Sequence, residues 1–375
     1  MGFESVDRAR NAARFLRISA REVAGLEEGG GEGAVVGWEG GGDVHMVGIW
    51  GGGGIGKTTI ARAVYNSIAH RFDGSCFLEN VRENSMGAGG FVELQKKLLY
   101  EILRETEVPS VAIGITMIKE RLQYKRVLLV LDDVSDIKQL ENLARECGWF
   151  GKGSKIIITT RDKKLLARHG VDLIHRVQEL AGDEALELFS RNAFKSNRPS
   201  VGYEELTQKV LSYARGLPLA LTVLGSSLWG GNVENWQAVL DGSESHEIKD
   251  VLQISYDLLD DALKAAFLDI ACFFKDENRE YVVQALGACG HKHANVVINV
   301  LIEKALISID EYKRIWMHDL VEEMGRDIVY RQSSDDPGRR SRLWFHEDVY
   351  RVLTENIVST HVKSSQLLVI ILKSL

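Results

Sequence analysis

Gly51, Gly56, Lys57 and Thr58 stand at the spacing G-x-x-x-x-G-K-T, and that spacing suits the holding of a phosphate chain. Glycines let successive backbone N–H groups curl round an anion with no Cβ in the way, so Gly53, Gly54 and Ile55 join the expected cradle. Lys57 would reach the β- and γ-phosphates, the Thr58 hydroxyl would ligate Mg²⁺, and Thr59 would open the helix behind the loop. The flanks agree with this. Residues 46–50 form an apolar run of buried-strand length, and residues 59–69 carry Ile60, Ala61, Val64, Tyr65 and Ile68 at helical spacing. A helix there aims its unpaired N–H groups at the phosphates.

A second group of chemical residues follows. Residues 128–133, LLVLDD, read as an apolar strand ending in two carboxylates, the Walker B pattern. Asp132 would hold Mg²⁺, directly or through water, and Asp133 would orient or deprotonate the attacking water. An Asp pair after a strand is otherwise often only a helix N-cap. Thr159-Thr160-Arg161 closes another apolar run, residues 155–160. Arg161 would sense the γ-phosphate through a bidentate contact, the other reading being a surface arginine capping a turn.

These residues need a scaffold, and strand and helix signals alternate from residue 45 to about 177. Residues 74–79, 126–131 and 155–160 read as strands, and 94–103, 115–124 and 137–144 as helices. Continuous apolar strands separated by helices predict an α/β P-loop NTPase domain, a parallel sheet covered by helices on both faces. Ligands of such sheets bind at the carboxyl ends of the strands, where both Gly51–Thr58 and Asp132–Asp133 fall. Beyond residue 177 the pattern turns helical, with a fixed break at Gly216-Leu217-Pro218. Residues 306–309 and 314–317 read as a β-hairpin, so a helical domain and then a winged-helix domain are expected. The acidic side chains around that hairpin argue for structural use rather than DNA reading.

Composition narrows the function. A net charge of −7 argues against a general nucleic-acid or anionic-membrane binder. No apolar stretch has the length of a bilayer span. Cys76, Cys147, Cys272 and Cys289 show no C-x-x-C spacing and read as thiols in a reducing compartment. Cys289-x-His291-x-His293 lacks the second half of a zinc site and reads as a solvated loop. Residues 1–34 are Arg-rich and partly amphipathic, which leaves a flexible tail, a short connecting helix or a transit-type segment open.

With these motifs on the page, the chain resembles the NB-ARC nucleotide-binding module of plant intracellular immune receptors over about residues 35–355. The markers stand in family order: GGGGIGKTT (51–59), FDGSCFLENVRE (72–83), LLVLDDVSD (128–136), GSKIIITTRD (153–162), LELFSRNAF (186–194), GLPLA (216–220), FLDIACFF (267–274) and MHD (317–319). Asp136 and FLDIACFF are similar to the TIR-type branch of NBS-LRR disease resistance proteins.

The resemblance implies a switch that binds ADP or ATP with Mg²⁺, closed with ADP and open and oligomerising with ATP. It implies Val36 and Gly37 as adenine contacts, Arg161 as sensor arginine, Leu217 and Pro218 near the adenine, and His318 on the ADP β-phosphate. Asp319 is placed to cap the helix after His318. The implied domains are a tail over 1–34, the P-loop domain over 35–180, a helical ARC1-like domain over 181–245, a winged-helix ARC2-like domain over 246–345 and a tail over 346–375. Nucleotide and other immune receptors are the implied partners, with neither direct nucleic-acid binding nor a membrane span, in the cytoplasm or shared with the nucleus. Slow ATP hydrolysis is the most that is expected of it as an enzyme.

The sequence also departs from the pattern. Neither a TIR domain before nor leucine-rich repeats after the module are expected, so NAD cleavage is not assigned. Residues 38–44 are too short for the helix the family places there, so the adenine side looks abridged. A second reading is therefore a truncated adaptor or decoy that pairs with full-length receptors without turning nucleotide over.

Overall fold

The computed structural model describes residues 43–105, 107–241 and 248–355. The expected adenine contacts Val36 and Gly37, the tail over 1–34 and the short segment 38–42 lie outside them. By its contacts the chain divides between Glu179 and Leu180 into two compact units, described in turn.

The first unit is built on five parallel strands in the order β2-β3-β4-β1-β5. They are β1 (His45–Trp50), β2 (Gly74–Leu78), β3 (Val127–Val134), β4 (Lys155–Thr160) and β5 (Leu173–Arg176). Val127 to Leu131 are all buried, so β3 is covered on both faces, which is why its sequence does not alternate. Around the sheet lie α1 (Lys57–Ile68), α2 (Val81–Asn84), α3 (Gly90–Leu103), α4 (Val111–Leu122), α5 (Ile137–Leu143) and α6 (Lys163–His169).

Local chemistry sets the helix starts. The Ser110 hydroxyl accepts from Ile113 N, Asp136 and Gln139 form a capping box at α5, and Asp162 accepts from Lys164 N. Against β1, a Cβ on Gly48 would lie 2.4 Å from Leu166 Cδ1, so α6 packs as closely as it does because the strand carries a glycine there. Several expectations shift at their edges, α3 and α4 each beginning four residues before the expected 94 and 115. The helix behind the loop begins at Lys57 rather than Thr59, and β3 runs on through Asp132 and Asp133 to Val134.

The β3–β4 register advances three residues on β3, Leu131 to Val134, for two on β4, Ile158 to Thr160. That extra residue is a bulge, and Asp133 sits in it with φ 55°. The bulge departs from the alternation of the strand before it.

The second unit is helical apart from one hairpin. It runs α7 (Gly182–Phe194), α8 (Glu204–Ala214), α9 (Pro218–Leu228), α10 (Val233–Asp241), α11 (Ile248–Asp257), α12 (Asp261–Asp269), α13 (Arg279–Ala288) and α14 (Ala294–Glu303). Then come β6 (Ser308–Ile309), β7 (Ile315–Trp316), α15 (Asp319–Tyr330) and α16 (His346–Thr354). Strands β6 and β7 pair antiparallel, as the hairpin reading expects.

Trp236, 1% exposed, is ringed by Phe189, Phe194 and Tyr203 with centroids 5.0–5.9 Å away, a core for the first helices. The FLDIACFF run forms the end of α12 and a π-helical turn, Ile270–Phe274. Its Ala271 meets α15 at Gly325, where a Cβ would come within 2.7 Å of the alanine methyl. Residues 346–354, read from sequence as the start of a tail, form α16, whose Val349 and Val352 pack with Leu343.

Candidate nucleotide site

The glycine loop follows β1 directly. Gly54 (φ 73°) and Gly56 (φ 98°) occupy the left-handed region, which side-chain-bearing residues adopt at a cost. Ile55, 2% exposed, pins the loop from beneath, and a Cβ on Gly51 would meet its Cγ2 at 3.1 Å. Lys57, 7% exposed, lays its Nζ back across the loop and donates to the carbonyls of Gly51 at 3.0 Å and Gly52 at 2.8 Å. Gly56 is the N-cap of α1 and gives it no side-chain cap bond, so no capping side chain competes for a helix N-terminus of the kind that binds anions.

Strand β4 lies between β1 and β3 and joins the two motifs. Thr58 Oγ1 donates to both Asp132 oxygens, at 2.9 and 3.1 Å, and Thr159 Oγ1 donates to Asp132 Oδ1 at 2.6 Å. Burial pushes the Asp132 carboxyl up to about 6, against the lowering pull of the Thr159 and Thr58 hydrogen bonds and with the Asp133 charge adding to the rise. A hydroxyl beside a buried carboxylate is the hard-oxygen donor set that suits Mg²⁺, whose charge would favour the ionised form of Asp132.

Asp133 takes a different environment from its neighbour. Its N–H donates to Thr159 Oγ1 at 2.8 Å. Arg82 Nε stands 3.0 Å from its Oδ2 and Arg161 Nε 3.8 Å from its Oδ1. The structure therefore brings together Gly51 to Thr59, Asp132, Asp133 and Arg161, and adds Arg82, which sequence reading passed over. Its signal was the FDGSCFLENVRE segment, noted only as a marker.

The remaining expected contacts belong to the second unit. Arg215 (φ 46°) and Gly216 (φ 69°) end α8, Leu217 is the extended N-cap of α9, and Pro218 occupies its first turn. Leu180 N donates to Gly216 O at 2.9 Å and ties the break down. His318 is the N-cap of α15, its Nδ1 accepting from Leu320 N at 3.1 Å. Expectation gave that cap to Asp319. Asp319 is instead the first residue of the helix and pairs with Lys275 Nζ at 3.1 Å, beside Glu322 at 2.7 Å from the same ammonium. With Nδ1 accepting, Nε2 carries the proton of the neutral ring.

The Cys289–His293 turn also differs from its reading as a solvated loop. His291 Nε2 lies 2.6 Å from Asp269 Oδ2, and Arg342 Nε donates to Asp269 Oδ1 at 2.7 Å. Burial alone would raise the Asp269 carboxyl, but the His291 hydrogen bond and the Arg342 charge outweigh it and hold it below the usual range.

Comparison with known proteins places these features. An NB-ARC domain model matches residues 35–198, and a "Disease resistance protein Roq1-like, winged-helix domain" model matches 260–333. Disease resistance protein RUN1 of Vitis rotundifolia is 46% identical over 307 residues, covering 80% of this chain and 23% of the relative. TMV resistance protein N of Nicotiana glutinosa is 42% identical over 314 residues, 81% of this chain and 27% of the relative. The chain thus spans about a quarter of the length of the curated relatives it matches. Among solved structures, a Signal Transduction ATPase with Numerous Domains protein with a tetratricopeptide repeat sensor from Pyrococcus horikoshii aligns with TM-score 0.51 at 19% identity, over 83% of this chain and 43% of that one, which shows the fold. Among the described residues no helix is long and apolar enough to cross a membrane. With its glycine loop, Walker B acids and winged-helix motif, the chain belongs to the NB-ARC family, and the relatives it matches are plant disease resistance proteins.

Proposed function

We propose that this chain is the ADP/ATP-binding switch of a plant immune receptor, closed with ADP and open and oligomerising with ATP. The observation that carries the reading is the Thr58–Asp132–Thr159 hydrogen-bond cluster beside a glycine loop spanned by Lys57. Loop N–H groups and Lys57 hold the β- and γ-phosphates, and Thr58 with Asp132 holds Mg²⁺, which when bound neutralises charge on the phosphate oxygens. Asp133 orients the attacking water and accepts its proton. Arg161 reads the γ-phosphate.

In the same reading Val36, Gly37, Leu217 and Pro218 serve the adenine. His318 donates from Nε2 to the ADP β-phosphate. That bond exists only in the closed state, so it shifts the closed–open balance by its own free energy. The division after Leu180 into helical and winged-helix domains, at about residue 245, goes with the switch, as do a cytoplasmic setting and pairing with other receptors. Hydrolysis is slow and resets the switch.

Gel filtration of the purified protein, followed by denaturation and analysis of released nucleotide, tests the reading. Co-elution of stoichiometric ADP is expected. A nucleotide-free protein that takes up neither ADP nor ATP would leave the adaptor reading in its place.

A further inference from the structure

Asp133 offers one carboxylate oxygen to each of two guanidinium groups, Oδ2 to Arg82 and Oδ1 to Arg161. The two contacts are unequal. Arg82 stands at 3.0 Å on the one-turn helix α2, whose Val81 is fully buried and whose preceding Asn80 is locked at φ 48°. Arg161 stands at 3.8 Å, just past the end of β4. Asp133 itself is clamped by its bulge and by the bond from its N–H to Thr159. Both arginine contacts are charge contacts, with no hydrogen bond from Arg82 Nε, and the shorter one draws the carboxylate more to the Arg82 side than to the Arg161 side.

We propose that Arg82 is a positioning residue that keeps Asp133 from capturing Arg161, so that a terminal phosphate can take Arg161 from the carboxylate. This rests on the reading of Arg161 as the γ-phosphate contact. A phosphate presents more charge and more acceptor oxygens than a carboxylate, and the planar fork of arginine matches it bidentately. When Arg161 turns to the phosphate, Arg82 alone holds Asp133 beside the attacking water. Without Arg82 the carboxylate turns wholly to Arg161 and competes with the γ-phosphate. ADP carries no γ-phosphate and is indifferent to the exchange. The ratio of ATP to ADP affinity is therefore the quantity that Arg82 sets.

Calorimetry with ADP and with a non-hydrolysable ATP analogue, on wild type, Arg82→Gln, Asp133→Asn and the double variant, tests the proposal. Arg82→Gln is expected to lower the ATP-analogue:ADP affinity ratio about two- to fivefold, the range of a partly exposed ion pair, with ADP affinity unchanged. Asp133→Asn is expected to raise the ratio, and adding Arg82→Gln to it should change nothing more. Arg82→Lys, which keeps the charge, should restore the wild-type ratio. The proposal is overturned by an Arg82→Gln effect of equal size in both Asp133 backgrounds, or by a ratio that does not move. Should Arg82→Gln not fold, Asp133→Asn decides alone, since an unchanged ratio there refutes the sharing of Arg161. A wild type that binds neither nucleotide overturns the switch reading itself and the proposal with it.

Discussion

Thr58 and Asp132, 74 residues apart, are joined by a hydroxyl that donates to both carboxylate oxygens at 2.9 and 3.1 Å. The pair fastens the first turn of α1 to β3 and places the expected Mg²⁺ donors side by side. Thr58→Ala should therefore weaken Mg-ATP binding at least tenfold, the scale of one lost bond to a charged group. Binding of ADP in the presence of a chelator should change much less. Calorimetry with and without Mg²⁺ separates the two, and equal losses in both conditions would assign Thr58 to the phosphates alone.

Asp133 sits in the bulge beside Asp132, and its contacts run to Thr159, Arg82 and Arg161. Asp133→Ala should slow ATP hydrolysis while leaving ADP affinity nearly intact. Single-turnover phosphate release read beside ADP titration checks this. An ADP affinity that falls as far as turnover would make Asp133 a structural or metal-holding group.

His318 combines two roles that an alanine substitution alone cannot separate. Its Nδ1 caps α15 through Leu320 N, and in the switch reading its Nε2 holds the β-phosphate. His318→Ala loses both, about 1 kcal/mol of cap and about 1.5–3 kcal/mol of charged bond. His318→Asn keeps a good cap acceptor but lacks the reach of the ring. Both variants should release ADP faster, about 10- to 150-fold, with only the alanine losing the cap's share of thermal stability. An ADP off-rate that stays at the wild-type value in both would show that His318 is not the latch.

The sequence was most legible where chemistry is local. The loop's glycines, Lys57 and the Asp132 that follows its apolar run carry their meaning within a dozen residues, and the hairpin at Ser308–Ile309 and Ile315–Trp316 announces itself by its turn. What stayed hidden depends on partners far along the chain. Asp319 looks like the better N-cap, but Lys275, 44 residues earlier, claims its carboxylate and leaves the cap to His318. Arg82 reveals its partner only once β2 and β3 pair and the bulge turns Asp133 toward it. His291 reads as loop until Asp269, 22 residues away, is seen buried against it.

That last cluster sets a stability test. Asp269 is 1% exposed and held by both His291 and Arg342. Asp269→Asn strands the Arg342 charge in the core and should cost about 3–5 kcal/mol. Because the folded carboxyl lies below its unfolded value, the stabilisation is full above about pH 4 and is lost as pH falls through the lower folded value. Denaturant midpoints of wild type should therefore drop on acidification below about pH 4, and those of Asp269→Asn should drop less there. Parallel pH curves for the two proteins would remove Asp269 from the account.

The central claim, nucleotide binding by the glycine loop, is tested most directly at Lys57. Its Nζ is already gathered against the loop, bonded to Gly51 O and Gly52 O. Titration calorimetry of ADP and ATP into wild type, Lys57→Ala and Lys57→Arg reads the claim without requiring turnover. The account predicts at least a tenfold loss for Lys57→Ala, from a bond to a charged group of about 1.5–3 kcal/mol. It also predicts no rescue by Lys57→Arg, because the loop closes round a compact ammonium that a planar guanidinium cannot replace. Equal ADP and ATP affinities in all three proteins would contradict it.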